Sequence, residues 1–113
     1  MIQDRLARLR EKMRELRIDT FFTNDPDNRR YLSGFTGSNG VLFITDSEAQ
    51  LATDFRYFEQ VKLEAPDFKL IESQRRADAQ VPQTLQDLGA KRVGFESDVL
   101  SYDVYQSIAG ALA

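Results

Sequence analysis

Three glycines at equal steps of three, in Gly34-Phe35-Thr36-Gly37-Ser38-Asn39-Gly40, are the first feature of this sequence whose spacing suggests chemistry. Glycine loops cradle phosphates when they join a strand to a helix, because the first amides of the helix then point at the anion. The dinucleotide fingerprint needs Gly-x-Gly-x-x-Gly, and the nucleotide-binding loop needs a Lys and a Ser or Thr after its last glycine; neither is present. This loop leads into the strand-like run Val41–Thr45 instead. RNA-binding Gly-x-x-Gly loops lie between two helices over a basic groove, whereas this chain carries a net charge of −3. What remains is a turn with positive φ at one or more of Gly34, Gly37 and Gly40. It is decorated by Phe35, Thr36, Ser38 and Asn39, whose aromatic and hydrogen-bonding groups a plain turn does not need.

The second candidate is the junction Asp54-Phe55-Arg56-Tyr57. Asp54 follows a strand and precedes a helical pattern, so it reads as an N-cap; Arg56, two residues later, offers a planar and permanently charged donor suited to a carboxylate. Asp25 and Asp27 begin like a calcium loop, but Pro26 and the missing glycine at the sixth position spoil that pattern. A two-carboxylate hydrolase needs a fixed separation across a cleft, which nothing in the spacing specifies. The chain has no His and no Cys, which removes Ser-His-Asp and Cys-His catalysis, thiolate metal sites and disulfides together. No metal site is expected within this chain.

These residues must be held by ordinary elements. The length of 113 residues, with 42% hydrophobic and 29% charged, points to one soluble domain over 1–113. Eight Phe and four Tyr supply its core. Ile2, Leu6, Leu9, Met13 and Leu16 line one face of a first helix reaching to about Arg17. That segment holds six Lys/Arg against three Asp/Glu, and the pairs Asp4 with Arg8 and Glu11 with Arg14 suit a solvated face rather than a membrane or nucleic-acid surface. Thr20–Thr23 reads as a strand ending in a turn, and Asn28 as the cap of a short helix that Ser33-Gly34 stops. The runs 41–45 and 50–53 form a hairpin across Asp46-Ser47-Glu48. A helix follows over 55–65 with Phe58, Val61 and Ala65 inward, then a strand over 68–72, a polar exit loop to residue 80, and a helix from Pro82 that ends at Gly89. A last strand covers 92–96, and Ser101 caps a final helix carrying Val104, Tyr105, Ile108 and Leu112, with no stop signal before Ala113. The alternation predicts an α/β domain: a mixed sheet with an antiparallel hairpin, flanked by helices. No apolar run approaches the ~20 residues of a membrane span, and neither a leader pattern nor an Asn-x-Ser/Thr sequon occurs. A cytoplasmic address is expected.

The run from Asn28 through Tyr31, Gly34 and Gly37 to Val41, followed a hairpin later by Thr53-Asp54-Phe55-Arg56-Tyr57-Phe58-Glu59-Gln60 and by Val93-Gly94-Phe95-Glu96, closely resembles the amino-terminal domain of the Xaa-Pro peptidases. That family includes aminopeptidase P, prolidase and creatinase, and the resemblance covers essentially the whole chain. It implies an RNase H-like α/β fold, with the chemistry in a larger carboxy-terminal domain where two divalent ions, often manganese, are held by two Asp, one His and two Glu. The chain would then be a fragment of a two-domain, homodimeric metallopeptidase. Its role would be to support the dimer and restrict the active site to short proline-containing peptides. Matched to the motifs, the resemblance implies a rim loop over 35–39, with Arg56 as a cation toward the substrate and Tyr57 as its neighbour. Asn28, Tyr31, the glycines and Asp54 serve as the structural motif. The alternative of a different class is a free-standing domain that binds a small molecule or peptide.

Overall fold

The computed structural model describes residues 2–74, 76–96 and 109–110. Helix α1 covers Ile2–Leu16, strand β1 Thr20–Thr23, helix α2 Pro26–Ser33, and strands β2 and β3 cover Val41–Thr45 and Ala49–Thr53. A 3-10 turn at Phe55–Tyr57 leads into α3, Phe58–Glu64, then β4, Lys69–Glu72. A second 3-10 turn, Ala77–Gln80, enters α4, Val81–Asp87, and β5 is the short pair Val93–Gly94. The expected final helix lies outside the described residues, except that 109–110 are helical.

The five strands lie in the order β4-β3-β2-β1-β5. The hairpin pairs β2 with β3 antiparallel, Leu42 opposite Leu51, and β1 adds antiparallel to β2 with Phe22 opposite Phe43. Both edges are parallel: β4 along β3 and β5 along β1. This is the mixed sheet with an antiparallel hairpin that the sequence predicts. The run Val41-Leu42-Phe43-Ile44 is apolar without alternation because both faces of β2 are covered. Leu42 and Ile44 enter a core with Leu6, Met13, Leu32, Phe35, Val61 and Phe68 from α1, α2, α3 and their flanks. Val41 and Phe43 enter a second core with Phe22, Ala77, Val81 and Leu85 on the α4 side.

Three local outcomes differ from expectation. Leu16 is 54% exposed: the helix ends there, and the chain turns through Arg17 at φ 58° so that Ile18, whose amide bonds the Met13 carbonyl at 2.9 Å, packs on the core instead. The basic face of α1 is solvated, but its arginines reach other elements rather than the expected helical partners. Arg10 donates to the carbonyls of Thr45 and Glu48, and Arg14 pairs with Asp46, so the helix closes the β2–β3 turn. The last strand is shorter than 92–96, because only Val93 and Gly94 find a partner in β1.

Arg17 gives a first prediction. A non-glycine residue in the left-handed region pays a steric penalty that glycine lacks, and the fold uses the backbone of Arg17, its N–H donating to the Arg14 carbonyl at 3.2 Å and its carbonyl accepting the Arg92 Nε–H, with no side-chain bond of Arg17 among the described residues. Arg17→Gly is expected to raise stability by about 0.5–1 kcal/mol in thermal melts; a loss would show that the Arg17 side chain is needed.

Candidate functional site

The glycine loop is built outward from the end of α2. Asp25 caps that helix, its carboxylate accepting the Asn28 amide at 3.0 Å, with Pro26 in the first turn. The expected cap, Asn28, is displaced by this aspartate because the helix starts three residues earlier than a cap at Asn28 would place it. Asn28 instead donates its side-chain amide to Glu96, which also accepts the Thr23 hydroxyl, so the residues after β5 are tied to β1 and α2. At the other end Gly34 takes φ 86° and its N–H closes on the Arg30 carbonyl at 2.8 Å; this is the positive φ expected of the loop. Tyr31 is half exposed, under the Arg5 guanidinium at 4.4 Å, on the side of α2 facing α1.

From Gly34 the loop alternates inward and outward. Phe35 is 1% exposed and belongs to the core, a correction to its expected place on the rim. The physical reason lies in Gly37, whose Cα rests on the Phe35 ring: a Cβ there would fall 2.2 Å from the Phe35 Cζ. The glycine is required by close approach, and the aromatic is the floor of the loop. Thr36 points outward to α3, donating its N–H and hydroxyl to Glu64 at 2.9 and 3.0 Å, with Gln60 bonded to both.

Ser38 and Asn39 carry the loop to the second motif. The Ser38 hydroxyl shares a 2.5 Å hydrogen bond with the Tyr57 hydroxyl, and the Tyr57 ring meets Phe35 edge-on at 5.7 Å. Asn39 donates its side-chain amide to Asp54 at 2.6 Å and accepts the Ala77 N–H with the other end. Asp54 caps the 3-10 turn as expected, accepting the Arg56 N–H, and both its oxygens receive the Arg56 guanidinium, at 2.8 Å from Nε and 3.0 Å from Nη2. Arg56 also lies 5.0 Å from the Tyr57 ring. The structure therefore brings Ser38, Asn39, Asp54, Arg56 and Tyr57 into one network, with Arg56 half exposed.

Ser38, Asn39, Asp54 and Arg56 of this network wall a cleft of about 440 Å³ that also takes Phe55, Gln74 and Arg76. Gln74 and Arg76 were not legible in the polar stretch after β4. The signal that would have found them is topological: β3 and β4 run parallel, so their carboxyl ends emerge side by side, where open α/β sheets bind ligands.

The charges are fixed by these bonds. Hydrogen bonds from Arg56 and Asn39 outweigh burial and hold the Asp54 carboxyl well below the usual carboxylate range, while Asp54 raises the Arg56 guanidinium. Glu64 is lowered by the Thr36 N–H and Gln60, and Tyr57 by its bond to Ser38. Both carboxyls have lower pKa values folded than unfolded. Their stabilisation is complete above about pH 4, the unfolded value, and is lost as pH falls toward the folded values. Acid melts should thus show a loss of stability below pH 4 that Asp54→Asn and Glu64→Gln each shallow. An unchanged acid limb in both variants would place the shift elsewhere.

Among the described residues no group of three or more His, Cys, Asp or Glu is placed to hold a metal ion, and no helix is long and apolar enough to cross a membrane. What the site offers is a fixed cation, a hydrogen-bonded rim and an aromatic wall at Phe55, with the Asp54 carboxylate committed to Arg56 and Asn39.

Known proteins carry the same arrangement of elements. The chain is 35% identical over 109 residues to the uncharacterized peptidase YqhT of Bacillus subtilis, covering 96% of this chain and 31% of that protein. Its fold superimposes with a TM-score of 0.89 on an Xaa-Pro dipeptidase from Bacillus anthracis, at 32% identity, over 99% of this chain and 32% of the other. The N-terminal domain of the cytoplasmic peptidase PepQ from Mycobacterium tuberculosis gives a TM-score of 0.87 at 34% identity, covering 96% of this chain and 85% of that one. The chain thus spans about a third of the first two and most of the third. With residues 5–113 matching the family profile, the chain belongs to the creatinase/prolidase N-terminal domain family.

Proposed function

We propose that this domain serves the active site of a metal-dependent Xaa-Pro aminopeptidase or dipeptidase without performing the bond cleavage. It does so by supporting a homodimer and by placing the rim at Ser38–Asn39 and the Arg56 cation over the cleft where a short proline-containing peptide is held. The observation that carries this reading is the Asp54–Arg56 pair: a bidentate bond and a cap anchor the guanidinium at the cleft edge, yet 58% of its side chain remains exposed. A guanidinium has five N–H donors, so three bonds to Asp54, one of them backbone, leave side-chain donors for an incoming carboxylate. Orientation and exclusion of water are contributions a domain can make without reacting groups.

The described residues do not fit a metal, and the resemblance places the two divalent ions, often manganese, in the carboxy-terminal catalytic domain of the longer relatives. The similarity to a cytoplasmic peptidase supports a cytoplasmic address. This chain alone, incubated with manganese and an Xaa-Pro dipeptide, is expected to show neither stoichiometric metal binding by calorimetry nor release of the amino acid. Metal-dependent turnover by the isolated chain would overturn the supporting role.

A further inference from the structure

Beneath the rim lies a guanidinium that neither motif explains. Arg29 is 4% exposed, and among the described residues no carboxylate pairs with it. It spends its charge on backbone: Nη1 donates to the carbonyls of Asn24 and Gly40, each at 3.0 Å, and Nη2 to that of Gly37 at 2.7 Å, while its buried Nε has no partner. Burial lowers its pKa, against the raising influence of Asp25 and Tyr57. A buried cation with an orphaned donor is a poor device for stability, since apolar side chains of similar volume commonly do as well or better. It is a good device for shape. The carbonyls of Gly37 and Gly40 bracket Ser38-Asn39, and a planar fork that binds both fixes the peptide planes on either side of those two residues.

From the geometry we infer that Arg29 is the positioning residue of the rim: by holding the Gly37 and Gly40 carbonyls inward it turns Asn39 outward onto Asp54, and so fixes Arg56. The relay runs through three short contacts: Arg29 to the loop carbonyls, Asn39 Nδ2 to Asp54 at 2.6 Å, and Asp54 to the Arg56 Nε at 2.8 Å. Its functional consequence rests on the reading of Arg56 as the cation that meets substrate.

The test compares the hydrogen exchange of two arginine Nε–H groups by NMR in this chain. Arg56 Nε is at the end of the relay; Arg10 Nε, bonded to the Thr45 carbonyl at 2.8 Å, is outside it and serves as the control. In Arg29→Lys, whose single nitrogen cannot span three carbonyls, the Arg56 Nε–H is expected to exchange about tenfold faster while Arg10 keeps its rate. Asn39→Ala, which cuts the relay without touching the buried cation, is expected to do the same and serves if the Arg29 variant does not fold. Unchanged Arg56 exchange in a folded variant, or equal acceleration of both groups, overturns the inference. In the full-length enzyme Arg29→Lys should raise KM more than it lowers kcat, and its effect should vanish in an Arg56→Ala background. If Arg56→Ala is itself kinetically silent, the reading of Arg56 fails while the exchange result still decides the positioning role.

Discussion

Phe35→Ala is expected to destabilise the domain by about 3–5 kcal/mol, the largest effect of any single truncation in the loop. The ring is 1% exposed among Leu32, Leu42, Leu51 and Val61, so its removal loses transfer free energy and leaves a cavity. It also removes the surface on which Gly37 rests and the edge-on partner of Tyr57. The complementary substitution tests the same contact from the other side. Gly37→Ala drives a methyl into the ring and should cost about 1–3 kcal/mol, and combining it with Phe35→Leu should cost less than the sum of the two single changes. A chemical-denaturation loss under about 1 kcal/mol for Phe35→Ala would mean that the loop does not rest on this ring.

In the full-length enzyme Arg56→Ala is expected to lower kcat/KM for Xaa-Pro dipeptides by about 10- to 100-fold, mostly through KM, with the fold retained and the thermal melt lowered only by the loss of the half-exposed pairing with Asp54. Two effects add. The substrate carboxylate loses its donor, and Asp54, still ionised and still held by Asn39, is left facing it as a like charge. Arg56→Lys should recover only part of the loss, because an ammonium cannot bridge both Asp54 oxygens and still present a flat donor edge. Wild-type kinetics for Arg56→Ala would identify a solvated residue whose pairing with Asp54 serves the turn alone.

Much of the fold was legible because its signals are local. The steps of four and three from Ile2 to Met13 mark α1, the β-branched and aromatic residues of Thr20–Thr23 mark β1, and the two apolar runs about Asp46-Ser47-Glu48 mark the hairpin. Asp54 as a cap and a positive φ within the glycine loop were also legible, each being a conformational need that one residue type meets. What was not legible depends on partners distant in sequence. Arg29 sits in a polar helix and is buried by a loop 8 to 11 residues later; charged side chains are so seldom buried that pattern alone places it outside. Phe35, between glycines, has the look of a displayed aromatic, and only the packing of Gly37 against it shows that it faces the core. Asn28 carries the right side chain for a cap, but Asp25 with Pro26 starts the helix earlier. Gln74 and Arg76 acquire a role only when β4 is known to run parallel to β3.

The most direct test of the account is a comparison of substrates rather than of stabilities. In the full-length enzyme, kcat/KM is measured for an Xaa-Pro dipeptide with a free carboxylate and for the same peptide as its amide, in wild type and in Arg56→Ala. The wild type should favour the carboxylate, and Arg56→Ala should reduce that preference by about tenfold or more, because the amide never engaged the guanidinium. An equal fall for both substrates, with the preference intact, would contradict the claim that Arg56 meets the substrate carboxylate.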